Sequence, residues 1–581
     1  MGFISSWRAK CSTKPCAKPA SCTHGWCAVR CPSGALKTIH RKCKTTKKGL
    51  SSPSSVSRLL PATTMRRFAR LGPQRQAAVW AVCGGTAVLG VCLLWTIFWR
   101  FTLPLELCFG AYSYTWVAQQ QKQQGRLVSS RLLARCSPQQ RFAALQRVLD
   151  AIAVAHGDDV RKGDNMARFL SAWHRYAPPH RVRRGNLRRF LAANCFYSRL
   201  EDLSSAHRIE LEAMLHAVDQ RFPDFQCAPG DDAELRAMEV GFQTSLVWSP
   251  MPLVVYVALA AVHSVSNVIL AMAGFRRTRV GVLQVWHKPP TSGKATQPPL
   301  VVLPGIGLGV GGLIPFTLGV LHASGADTHA HVFAVQLPHI TVGCIGQHRE
   351  MPDEGEVVDA MTALLASVQP QASHDSGKRR DPCPARFIAH SYGTFVLAWM
   401  LARDDTRHLI HSALLLDPVA LLVSFPHTIH GAVYRRFLEQ PMTMALTTAT
   451  SAAVENVSSA SNATARLRAM AVHVHAMSRL LFMYAFTRER HIAWALQKHV
   501  HWPTYSLWLE DLPPGCHATL ALSTDDALVP SAEVARYCAA VAARRGGDIS
   551  VRVEWLQGHA HGDVALNSSS WKVLAEALCH S

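Results

Sequence analysis

From residue 276 onward the chain alternates short apolar runs with helix-length segments. Runs of strand type fall near Val280 to Trp286, Leu300 to Leu303, His331 to Val335, Ala385 to Ile388, Ser412 to Leu416, Ala518 to Leu522 and Val551 to Trp555. This alternation predicts an α/β domain over 276–581, a mostly parallel sheet with helices on both faces. A helical insertion at about 422–508 interrupts it, in the place of a lid. Upstream, 100–250 reads as mostly helical, as in Arg141 to Leu149, where apolar residues recur every three or four. The uncharged runs 77–99 and 251–275 are each long enough to cross a bilayer. Ala77 to Trp99 is expected to be a transmembrane helix. Met251 to Phe275 holds His263, Ser264, Ser266 and Asn267, so it either spans or lies in the interface. Met1 to Gln76 has no periodicity and is expected to be a disordered basic tail or a targeting segment.

Charge changes this picture less than its total suggests. The 581 residues carry a formal +23, yet the first 100 hold 17 Lys+Arg and no acid, leaving the remaining 481 with 44 bases against 38 acids. A basic tail on a nearly balanced body argues against nucleic acid as a partner. Arg66, Arg67, Arg70 and Arg75 precede the first uncharged run, and Arg276, Arg277 and Arg279 follow the second. Two crossings place tail and α/β domain on the cytoplasmic side of an intracellular membrane, the arrangement expected; one crossing places the domain on the lumenal side. Arg181, Arg183, Arg184, Arg188 and Arg189 in the helical region form either a solvated face or a surface for anionic lipid head groups. Tail cysteines Cys11, Cys16, Cys22, Cys27, Cys31 and Cys43 lack metal-ligand spacing, and the other cysteines are scattered singly, so neither a metal site nor a disulfide framework is expected.

Candidate chemistry clusters at the ends of the expected strands. In Phe387-Ile388-Ala389-His390-Ser391-Tyr392-Gly393 a strand breaks into small-x-Ser-x-Gly and continues as the apolar helix from Val396, the pattern of a nucleophile elbow. Leu300 to Leu303 runs into Pro304-Gly305-Ile306-Gly307, a loop whose bare backbone can approach a developing oxyanion; the expected donors are the amides of Ile306 and Tyr392. A phosphate-binding loop fits poorly, because neither a Lys-Ser/Thr pair nor G-x-G-x-x-G spacing is present. An acid follows the strand at Ala518 to Leu522: Asp526 has the better spacing to Val529-Pro530, and Asp525 is the near alternative. Asp417 ends the strand before it and is a rival. Beyond Val551 to Trp555 comes Gln557-Gly558-His559-Ala560-His561-Gly562-Asp563, and His561 is the expected base. The order Ser, Asp, His is that of α/β-hydrolases.

These runs, with Gln336-Leu337-Pro338-His339-Ile340, Leu415-Leu416-Asp417-Pro418-Val419 and Leu507 to Leu512, resemble the membrane-associated α/β-hydrolase-1 type proteins of plants, algae and fungi, over about Ala167 to Ser570. The resemblance implies an α/β-hydrolase fold, the base at His561 with His559 as a pocket or loop residue, and the acid at Asp526. Ala560 replaces the aspartate that precedes the base in that family. The function implied is a membrane-tethered serine hydrolase that cleaves acyl esters, of a lipid or another amphiphile, without a cofactor. The alternative is a non-catalytic binding or scaffold protein on the same fold.

Overall fold

Strands at the centre of the chain's sheet are buried on both faces, so their side chains alternate between two cores. The computed structural model describes residues 100, 102–134, 136–157, 161–238, 245–343, 351–368, 382–434 and 485–579, with the side chains of 123–132 and 579 left aside. The basic tail, the Ala77 to Trp99 run and most of the expected lid insertion lie outside the described residues. Eight strands form one sheet: β1 Arg276–Val280, β2 Leu283–Lys288, β3 Leu300–Leu303, β4 Val332–Gln336, β5 Ala385–His390, β6 Ile410–Leu416, β7 His517–Ser523 and β8 Ser550–Leu556. Their order is β1-β2-β4-β3-β5-β6-β7-β8. β1 and β2 are antiparallel to their neighbours, and from β4 to β8 every pairing is parallel. Parallel strands need crossovers, and helices supply them on both faces. Val301, Leu303, Phe333, Val335, Phe387 and Ala389 join one core. Leu300, Val302, Val332, Ala334 and Ile388 join the other, packed by Val310–Ser324 and Trp571–Cys579.

One strand was not expected. The run Val280 to Trp286 is cut by a turn at Gly281 and Val282, so that it supplies most of β2 while Val280, paired to Leu283, ends a separate strand. That strand, Arg276–Val280, is almost wholly exposed. An edge strand with three arginines carries no apolar alternation, and such charges keep other chains from pairing with the open edge.

Before the sheet come helices α1 Leu103–Ala134, α2 Pro138–Val154, α3 Lys162–Trp173, α4 Arg184–Cys195, α5 Ser205–Arg221 and α6 Leu253–Met272. Ser137 caps α2 in a capping box with Gln140, and Ser204 caps α5. The buried faces of α2 to α5 (Leu149, Ile152, Phe169, Trp173, Leu191 and Leu215 among them) belong to the same apolar core as one face of the sheet. Their arginines are committed to ion pairs: Arg181 with Asp232, Arg184 with Asp219, Arg188 with Glu212, Arg189 with Asp231. Four of the five arginines named as a possible lipid surface therefore already have carboxylate partners. Among the described residues one helix, α6, is long and apolar enough to cross a membrane.

Candidate active site

Ser391 leaves β5 with φ of 51°, a left-handed conformation that non-glycine residues seldom take. Its amide donates to Leu416 O at 3.0 Å, and its carbonyl accepts from Thr394 N as α7 begins, Gly393–Leu401. The turn is possible because Gly393 has no side chain: a Cβ there would lie 2.5 Å from Leu303 O. Gly305 brings the loop after β3 to the same place, since a Cβ on it would stand 2.8 Å from Ser391 Cβ. Ile306, Ser391 and Tyr392 line one cavity. Among the described residues neither the Ile306 nor the Tyr392 amide donates a hydrogen bond, so both are free for a ligand oxygen.

His561 joins the other two groups. Its Nε2 is 2.8 Å from Ser391 Oγ and its Nδ1 2.7 Å from Asp526 Oδ2. A carboxylate only accepts, so in the neutral ring Nδ1 carries the proton and Nε2 is left to accept from the hydroxyl. Asp526 Oδ1 is held by the amides of Leu528 at 2.7 Å and Val529 at 2.9 Å, which is why the Val-Pro spacing matters. Asp525 stays at the surface with Thr524. His559 is buried, with its Nδ1 at 3.0 Å from Gln557 O. Where the resembled family has aspartate, Ala560 leaves the support to Asp563, whose Oδ2 accepts from the Ala560 amide.

Asp417 ends β6 with φ of 43° and does not touch the imidazole. Its two oxygens accept from the amides of Ser523 at 3.0 Å and Gly562 at 2.8 Å, tying the end of β7 to the residue after His561. Burial, then the Asp526 charge, pushes its carboxyl up to about 6. Asp526 moves the other way: burial opposes it, but His561 and the two amides hold it below the usual carboxylate range. For His561 burial favours the neutral ring, yet Asp526, Asp417 and Asp563 outweigh it and raise it to about 9. Adjacent His390 goes down to about 3, by burial and by the neighbouring His561, so it adds no second charge. Asp417, Asp526 and His561 bring ligand-type atoms within 4.8 Å of one another. Those atoms are already engaged by amides and by each other.

The cavity above Ser391 is about 1230 Å³ with its mouth included, and its wall is almost wholly apolar. α2 gives Leu145, Val148 and Ile152; α3 gives Met166, Phe169 and Trp173; α4 and the residue region after it give Phe190, Leu191 and Tyr197. The roof is thus the helical region that precedes the sheet in the chain, joined by Ile429, Val433 and Leu496 from the described ends of the insertion. Trp173 Nε1 donates to Ser424 O at 3.2 Å, pinning roof to body. The apolar period of α2 was visible in the sequence, but not the surface it covers.

No family model matches the chain, and no curated protein matches it. Solved structures align over about half of it. An esterase, RhEst1, from Rhodococcus sp. ECU1013 is 16% identical, with 53% of this chain and 99% of that one covered and a TM-score of 0.31. A membrane phospholipase A, described as a bacterial virulence factor, is 14% identical over 56% and 93% with a TM-score of 0.33. Carboxylesterase CesB from Bacillus subtilis is 10% identical over 56% and 99% with a TM-score of 0.30. Likeness at this level says nothing of substrate. The strand order, the parallel crossovers and the strained serine between β5 and its helix are those of an α/β-hydrolase fold.

Proposed function

We propose that the protein is a membrane-tethered serine hydrolase that cleaves acyl esters of apolar chains. The observation that carries this is the continuous relay from Ser391 Oγ through His561 to Asp526, at 2.8 and 2.7 Å. Ser391 attacks the ester carbonyl while His561 Nε2 takes its proton, and the amides of Ile306 and Tyr392 receive the oxyanion. Collapse expels the alcohol, which leaves with the proton returned by His561. Water, deprotonated by the same nitrogen, then releases the acid and frees Ser391. Asp526 keeps the imidazole in the useful tautomer and stabilises its charged form. The apolar roof supports a lipid or similar amphiphile over a polar ester, since a hydrophobic wall gives no partner to a polar acyl group. Acyl transfer to an alcohol would use the same acyl-enzyme.

Tethering is supported by the uncharged Ala77 to Trp99 run and the arginines before it. The cytoplasmic placement of the domain holds only if Leu253–Met272 also crosses. The test of the chemistry is a fluorophosphonate probe on the full chain. It is expected to label Ser391, and Ser391→Ala to lose both the label and ester hydrolysis. Hydrolysis undiminished in Ser391→Ala would sink the assignment.

A further inference from the structure

α6, Leu253–Met272, has its polarity turned inside out. Three polar residues of this apolar helix, Tyr256, His263 and Ser266, turn toward the protein, where each finds a partner or a close contact. Tyr256 OH donates to the buried Glu489 carboxylate at 2.6 Å. His263 Nε2 lies 2.7 Å from Val342 O. Ser266 is buried where Gly311 passes, so closely that a Cβ on Gly311 would meet its Oγ at 2.9 Å. Leu270 ends the helix inside the second core. Facing outward along the same length are Val254, Val257, Val262, Val265, Val268 and Met272, the first 58% and the last 83% exposed. The outward hydroxyl of Ser264 is bonded back to Ala260 O. Water rewards the opposite arrangement.

A second helix extends this face. Glu106 of α1 accepts from the amides of Leu253 and Val254 at 2.6 and 2.9 Å, so the only charged group in 103–118 is spent capping α6. Leu105, Leu107, Tyr112 and Tyr114 of α1 are exposed. Tyrosines among aliphatic side chains suit the boundary between head groups and acyl chains. At the far end of α6, β1 presents Arg276, Arg277 and Arg279 to solvent, none in an ion pair among the described residues, and 251–281 contains no acid.

The contacts at Tyr256, His263, Ser266 and Leu270 run almost end to end. A helix crossing the bilayer could keep them only by drawing the sheet and its charged surface into the hydrocarbon. We infer that α6 lies in the plane of a phospholipid bilayer, its outer face and the exposed face of α1's first turns sunk among the acyl chains, with the arginines of β1 on anionic head groups. This surface is also coupled to the site: Val342, whose carbonyl meets His263, donates its amide to Gly307 O at 2.8 Å, next to Ile306.

The experiment uses the full chain reconstituted in vesicles of phosphatidylcholine with one part in five phosphatidylserine. A genetically encoded fluorescent amino acid replaces Val254, Val262 or Met272 in turn, and lipids brominated at different acyl depths quench it. An in-plane helix places all three at one shallow depth. A crossing helix, with about 27 Å of axis between 254 and 272 at about 1.5 Å per residue, puts Val262 near the midplane and the ends near opposite surfaces. Val262 deeper than both ends by about 10 Å overturns the inference, and so does an absence of quenching at all three, which would mean that protein covers this face. Both readouts are independent of whether Ser391 reacts with a fluorophosphonate.

Discussion

The floor and the roof of the cavity are held by different forces. The floor consists of three strand-end loops in which the polar atoms that matter are paired within 3 Å and two residues, Ser391 and Asp417, sit at positive φ. The roof consists of helices whose inner faces offer area and almost no direction. Directional contacts in a dry site fail when one atom is moved, whereas apolar contacts give way by degrees. Reaction and selectivity are therefore expected to respond differently to substitution, steeply on the floor and gradually on the roof.

The sharpest break of that contrast is on the relay itself. Asp526→Asn and His561→Ala are each expected to lower kcat by about 10⁴-fold on a short soluble ester, with the double variant little worse than either, because the three groups act as one unit. Asp525→Asn and His559→Ala should change kcat far less. A full effect at Asp525 and none at Asp526 in folded protein would reverse the assignment.

Asp417 should show floor behaviour in stability. Asp417→Ala leaves the buried amides of Ser523 and Gly562 without acceptors, at about 1–3 kcal/mol each, and thermal denaturation should begin well below that of the parent. Asp417→Asn keeps one acceptor oxygen but turns an NH2 donor toward the other amide, so it should recover at most part of the loss. Denaturation of Asp417→Ala at the parent temperature would show that water replaces the lost acceptor.

On the roof, filling the cavity should change preference without stopping the reaction. Ile152→Trp, projecting from α2 into the space over Ser391, is expected to lower kcat/KM for long p-nitrophenyl esters by about tenfold or more while short esters are spared, since each methylene in an apolar pocket counts for about 1–3 kcal/mol. Equal losses at every chain length would mean that the roof supports the floor and does not measure the chain.

The contrast also shows in pH, where the shift between variants is the smallest effect. His561, raised to about 9, is protonated at neutral pH and cannot take the serine proton until it is neutral, so kcat/KM should climb by about tenfold per unit as pH approaches 9 and level beyond it. Removing one of the carboxylates that raise it, in Asp417→Asn, should move the inflection to lower pH. An inflection that stays in place would separate Asp417 from the base electrically.

The floor was legible in the sequence because each of its parts is local. Small-x-Ser-x-Gly needs Gly393 beside Leu303 O, and the Val-Pro spacing needs the Leu528 and Val529 amides on Asp526; both requirements act within a few residues. The choice between Asp526 and Asp417 was less local, because it depends on which side of His561 each loop arrives. Of the roof only the part that comes from the expected insertion at about 422–508, with Ile429, Val433 and Leu496, was legible. Its other helices showed their period in the sequence, but the surface they bury against lies on the order of 200 residues away along the chain, and apolar faces do not name their partners. β1 was missed for the opposite reason: its arginines serve the open edge of the sheet and erase the apolar pattern by which strands are found.

The order of the pieces along the chain has a consequence for the protein's birth. α2, α3 and α4 leave the ribosome before Ser391 exists, by roughly 10–40 s at about 5–20 residues per second. For that interval a broad greasy face waits for the sheet it belongs to, and nascent chains in that state are candidates for chaperone capture. When the elbow finally emerges, most of the helical cover that will lie over it has already been made.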